Sequence, residues 1–96
     1  MLDIVVEALS PERQAKIFAA LADPVRLRIV RELIAGNERS GTSISDALGI
    51  SLALLCHHAR ILAEAGAITK RKEGQTALYR IDRSILSGCM KALLTS

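Results

Sequence analysis

The sequence predicts a mainly α-helical domain with a small β-hairpin: an α+β winged helix-turn-helix, homodimeric through its N- and C-terminal helices. Three observations carry this. A helix-like stretch from Thr42 to Leu48 stops at Gly49. Ser51 opens a second helical run through Ala65, which Gly66 closes. Two strand-like runs follow, joined by Glu73-Gly74-Gln75 and loaded with Lys70, Arg71, Lys72 and Arg80. Helix, turn, helix, basic hairpin is the order that sets one helix in a DNA major groove with a cationic ribbon beside it.

Each element has a local cause. Residues 2–9 are short and apolar and are expected to form a small helix. Ser10-Pro11-Glu12 reads as a cap, a first-turn proline and a first-turn acid. Ile17, Phe18, Leu21 and Ala22 follow at helical spacing. Asp23-Pro24 stops that helix and caps the next, whose stripe is Leu27, Val30, Leu33 and Ile34. Gly36 fits a left-handed position after the helix end, and residues 37–41 read as a loop. Past the helix-turn-helix, Ala67–Lys72 and Thr76–Ile81 are the two strands, with Gly74 supplying a positive φ at the turn. Asp82 caps a last helix carrying Ile85, Leu86, Cys89, Met90, Leu93 and Leu94 as one stripe. So small a domain offers this stripe few internal partners. It is expected to bury itself against a second copy of the chain, together with part of residues 2–22.

At 96 residues the chain is one domain, residues 1–96. The helix-turn-helix lies at about 42–65, the wing at about 67–81, and the dimerisation helices at about 2–22 and 83–95. A chain of this size buries only about 60–65% of its unfolded surface. Half of its residues are hydrophobic, which leaves a surplus for a subunit interface. The net charge of +3 is unevenly spread: residues 1–56 hold six basic and seven acidic side chains, residues 57–96 seven and three. Cations gathered around the hairpin suit a polyanion, because they displace counterions condensed on phosphates. No apolar run of about 18 residues suggests a membrane span. The start Met1-Leu2-Asp3 is unlike a signal peptide, and Cys56 and Cys89 form no CxxC, so a reducing cytoplasm is the expected location.

The run opened by Ser51 is the candidate reader. Leu55, Ala59 and Leu62 form its inward stripe, and Leu52, Ala53, Cys56, His57 and Arg60 fall on the opposite arc. His57 and Arg60 can donate hydrogen bonds, whereas Leu52 and Ala53 offer only apolar contact to a thymine methyl. So few donors shift the expected weight toward phosphate contacts and DNA shape. Lys70, Arg71, Lys72 and Gln75 on the wing are expected at phosphates or in the minor groove. With only Phe18 and Tyr79 as aromatics, stacking platforms for RNA or single strands are missing from the pattern. The expected partner is double-stranded DNA.

These residues resemble a known family. Phe18-Ala19-Ala20-Leu21-Ala22-Asp23-Pro24-Val25-Arg26-Leu27-Arg28-Ile29-Val30 is similar to a signature of the ArsR/SmtB transcriptional repressors. Leu48-Gly49-Ile50-Ser51, Cys56-His57-His58 and Leu62-Ala63-Glu64-Ala65-Gly66-Ala67-Ile68 resemble that family's turn and recognition helix. Lys70-Arg71-Lys72-Glu73-Gly74-Gln75 with Tyr79-Arg80-Ile81 resembles its wing. The resemblance spans roughly residues 15–85. It implies homodimeric winged-helix repressors that bind imperfect palindromes, many of which release DNA when a metal or oxidant binds. One family metal site uses cysteines where this chain has Ser40 and Thr42. Another pairs Asp82 with histidines where this chain has Ser84 and Thr95. Neither donor set is present, and no metal or other cofactor is expected. At the reader, Leu52 and Ala53 stand where the family usually has polar residues, and Cys56 where it has serine.

Adjacent helical side chains diverge by about 100°, so Cys56, His57 and His58 cannot jointly chelate one ion. Cys56 on the outer face is a candidate redox switch, since oxidation there would obstruct docking. Cys89 is expected to pack as a small hydrophobe, and across a dimer axis its twin is a conceivable disulfide partner. The leading reading is a sequence-specific repressor released by an unknown signal. The alternative is a winged-helix protein-interaction module without DNA binding, suggested by the apolar run Leu52-Ala53-Leu54-Leu55. No catalytic triad, paired carboxylates or phosphate-cradling loop points to an enzyme, a small-molecule substrate or a membrane role.

Overall fold

The computed structural model describes residues 10–95. The expected helix at 2–9 lies outside the described residues. The elements run α1 (Pro11–Leu21), α2 (Pro24–Gly36), β1 (Arg39–Ser40), α3 (Gly41–Leu48), α4 (Leu52–Ala65), β2 (Ile68–Glu73), β3 (Thr76–Ile81) and α5 (Arg83–Thr95). The three strands form one antiparallel sheet in the order β1-β3-β2.

All five helices start on side-chain caps: four on the residues expected of them, and α3 on Ser40, which was expected in a loop. Ser10, Ser40 and Ser51 each accept a backbone N–H from three residues on, at 3.1–3.2 Å. Asp23 Oδ2 accepts from Val25 N at 2.9 Å and from Arg26 N at 3.1 Å, and Asp82 Oδ1 accepts from Ile85 N at 3.1 Å. Both helices of the central motif end the same way. Gly49 and Gly66 take positive φ, 68° and 92°, and the amides of Ile50 and Ala67 reach back to Ser45 O and Leu62 O. This closure satisfies carbonyls that a helix end would otherwise leave exposed, and only glycine enters the left-handed region without Cβ strain. The axes of α3 and α4 turn by 112° across it. Among the described residues no single helix is long and apolar enough to cross a membrane.

The backbone amides hold Asp23 as a carboxylate, and its pKa is lowered chiefly by the Arg26 N–H bond. A carboxylate whose folded pKa is depressed stabilises above its unfolded pKa, and that gain disappears as pH falls through the folded value. Asp23→Ala is therefore expected to lower Tm at neutral pH. In thermal melts the gap from wild type should close as the pH drops below the usual carboxylate range.

The core joins Ile29, Val30 and Leu33 of α2, Ile44 of α3, Leu55, Ala59 and Leu62 of α4, and Ile68, Tyr79 and Ile81 of the sheet. Four local readings are revised. The stripe of α2 runs through Ile29, while Leu27 and Ile34 face outward at 43% and 45% exposure. Phe18, expected in the core stripe of α1, is only half-buried, and Ala20 is buried there with Ile17. Gly36 is still helical, and Asn37 takes the positive φ instead (61°, ψ −131°). Residues 39 and 40, expected in a loop, are a third strand, with Arg39 opposite Tyr79 and Ser40 opposite Leu78.

Candidate nucleic-acid interface

α4 presents two chemically distinct faces. Leu55, Ala59 and Leu62 are sealed inward, and Ser51, Leu52, Ala53, Cys56, His57 and Arg60 are all exposed on the other side. Ser51 also caps the helix through its Oγ. His57 and Arg60 are therefore donors on an open helical face, next to apolar Leu52 and Ala53.

His58 points the other way. It is only 9% exposed, and its Nδ1 lies 3.1 Å from Arg26 Nη1 and 4.0 Å from Asp23 Oδ2. Arg26 Nε donates in turn to Ala20 O at 2.6 Å. A polar brace thus ties the middle of α4 to the corner between α1 and α2. The sequence shows Asp23 as a helix cap; its place beside His58 emerges only in the fold. The signal that could have found the brace is Arg26, a cation on the first turn of a helix whose neighbours belong to the core.

The register of the hairpin sorts its cations. Lys70 stands opposite Tyr79 and Lys72 opposite Ala77, on the sheet face that carries Ile68 and Ile81 lower down. Arg71 stands opposite Leu78, on the other face. Lys70, Lys72 and Gln75 line a groove with Leu52 and Cys56 of α4, so strand alternation brings wing cations and reader together. A second concavity of about 560 Å³ runs along α4 past Ala53, His57 and Arg60, and Cys56, Lys70 and Tyr79 border both. The turn between the strands is two residues long, with Gly74 at φ 62° in its first position.

Arg71 is placed differently from the other expected cations. Its Nε donates to Glu38 Oε2 and its Nη2 to Glu38 Oε1, both at 2.8 Å, and Nη1 reaches Glu73 Oε2 at 3.4 Å. These bonds raise the Arg71 pKa, and the Arg71 guanidinium holds the Glu38 carboxyl below its ordinary value.

The two cysteines sit in opposite settings. Cys56 is exposed between reader and wing, where it lines the same groove as Tyr79. Burial, with Cys56 adding to it, pushes the Tyr79 pKa up. Cys89 is fully buried, and burial pushes its thiol up as well. The rest of the α5 stripe divides. Ile85 and Leu86 are half-buried, while Met90, Leu93 and Leu94 are 46%, 59% and 84% exposed. Gln14 Nε2 donates to Cys89 O at 3.1 Å, which sets α5 beside α1. Among the described residues no group of three or more His, Cys, Asp or Glu side chains is placed to hold a metal ion.

Comparison with known proteins matches residues 21–71 to a family model described as a helix-turn-helix domain. The chain is 29% identical to a probable mercury resistance operon repressor of Streptomyces lividans, over 91% of this chain and 74% of that one. An ArsR-like transcriptional regulator from Rhodococcus sp. RHA1 superposes with a TM-score of 0.77 at 28% identity, covering 86% of this chain and 77% of that one. A homodimeric winged helix-turn-helix DNA-binding domain from Mycobacterium bovis, a possible ArsR-family regulator, superposes at 0.73 with 27% identity, covering 86% and 78%.

Proposed function

This chain belongs to the ArsR/SmtB family of winged helix-turn-helix transcriptional regulators, and we propose that it is a homodimeric repressor whose α4 reads the major groove of a palindromic operator. The observation that carries the reading is the groove shared by α4 and the wing, where Lys70, Lys72 and Gln75 face the same space as Leu52 and Cys56. Phosphates drawn to the lysines would lie beside base edges within reach of His57 and Arg60. Thin hydrogen-bonding capacity at Leu52 and Ala53 leaves much of the discrimination to DNA shape.

The second copy of the chain is the occupant of the α5 face. The exposed Met90, Leu93 and Leu94 make an apolar surface beside α1. The Mycobacterium bovis relative, similar over 86% of this chain, is itself homodimeric. Two-fold symmetry would then pair two readers one helical turn apart on DNA.

The releasing signal we favour is chemistry at Cys56. It is the exposed thiol of the two, it borders the reader–wing groove, and a sulfenic acid formed there by peroxide, which is reduced to water, would occupy space the duplex needs. Cys89 is shielded by burial. One gel-shift series on the chain's own upstream DNA tests both levels. Wild-type affinity is expected to fall steeply with salt, hydrogen peroxide or an organic peroxide to release the DNA, and Cys56→Ser to bind but resist release. Release of Cys56→Ser by the same oxidants would remove Cys56 as the switch and leave the repressor reading standing.

The exposed Leu52 and Leu54, 48% and 40%, favour one other reading, a protein-interaction module. That reading predicts no salt-sensitive duplex binding in the same series.

A further inference from the structure

We propose that Arg71 and Glu38 form a strap that fixes the angle of the wing against the reader, so that Arg71 is a positioning residue and not a phosphate contact. Arg71 lies on β2, at one edge of the sheet, and Glu38 immediately precedes β1, at the other edge. Their ion pair therefore crosses β3 on a diagonal, from Arg71 at the level of Leu78, which also pairs with Ser40, back to Glu38, one residue before Arg39. Beyond the level of Leu78 β1 has ended. The sheet narrows there from three strands to two, and Lys72 and Gln75 lie on the two-stranded part. A two-stranded ribbon has little stability of its own, so its angle depends on what grips its root. The strap sits at that root.

The grip is built on both sides. Arg71 engages Glu38 through two parallel 2.8 Å bonds, a fork-to-fork arrangement that fixes orientation as well as distance. Glu38 is held in turn. Arg39, next to it, pairs with Glu32 and donates to Ser43 Oγ at 2.8 Å. Asn37, before it, holds a positive φ that non-glycine residues rarely adopt. The segment bearing Glu38 is thus pinned inward by Arg39, and Glu38 is turned out toward the wing. Meanwhile Arg71 is committed to the sheet face opposite Lys70 and Lys72, away from the reader groove.

The inference rests on the DNA-binding reading and has a sign of its own. Glu38→Gln removes a negative charge, so simple electrostatics predicts tighter DNA binding. The strap predicts weaker binding. Fluorescence anisotropy with a duplex selected from a randomised pool, titrated with salt, compares wild type, Glu38→Gln, Arg71→Ala and the charge swap Glu38→Arg/Arg71→Glu. Each single variant is expected to lose roughly three- to tenfold in affinity, the scale of one hydrogen-bonded pair, with an unchanged salt slope. The swap should recover most of the loss. Surface ion pairs add little to global stability, so Tm should hold while amide exchange at residues 72–76 quickens. Tighter or unchanged binding by Glu38→Gln would overturn the strap, as would a shallower salt slope for Arg71→Ala. If wild type binds no duplex, the DNA reading falls, and the exchange rates alone decide whether the strap exists.

Discussion

Replacing Lys70 and Lys72 together by alanine is expected to remove up to four phosphate contacts from a dimer. With a slope of about −0.9 per contact, the log–log salt dependence should become shallower by roughly three to four units, and affinity near physiological salt should fall roughly thousandfold. The lysines are exposed, so the fold has no reason to suffer. Both side chains stand on the hairpin face that shares a groove with α4, and no ion pair diverts either of them among the described residues. Anisotropy titrations across salt concentrations check the prediction. Loss of affinity with an unchanged slope would mean that the lysines act through the wing's shape and not through charge.

Leu93→Glu is expected to have an effect of similar size by a different route. Leu93 is 59% exposed on the outward half of α5, between Met90 and Leu94. A carboxylate there would have to be desolvated, without a partner, when two copies meet, and burial of an unpaired charge is far more costly than the apolar contact it replaces. The variant should sediment as a monomer. Two linked readers bind more tightly than either alone by a factor on the order of 10²–10⁴, so duplex affinity should drop accordingly while the monomer stays folded. A variant that sediments like wild type would place the interface elsewhere.

The local chemistry of this chain was largely legible. The bounds of α4 followed from Ser51 and Gly66 because a cap and a left-handed glycine act within a few residues of themselves. The inward stripe Leu55, Ala59, Leu62 followed from helical period alone. Strand alternation would have separated Lys70 and Lys72 from Arg71, but composition grouped all three as wing cations. What stayed hidden was every contact made across distance in the chain. Arg71 meets a carboxylate 33 residues away, and Arg26 meets His58 across 32. β1 has two residues, too few for any periodicity, and exists only because β3 lies alongside it. Leu27 and Ile34 had the spacing of core residues, yet the surrounding elements bury Ile29 instead. Gly36 was the plausible helix terminator by residue type. Asn37 took the role, since asparagine too can enter positive φ, one residue later than the sequence suggests.

The account stands most directly on a hydroxyl-radical footprint of the wild-type protein on a duplex selected from a randomised pool. Two readers related by a two-fold axis predict two protected stretches of backbone over inverted sequences, centred about 10 base pairs apart on one face of the helix, with further protection on their outer sides where the wings meet the sugars. A single unpaired protected segment, or a uniform one without helical phase, would contradict it.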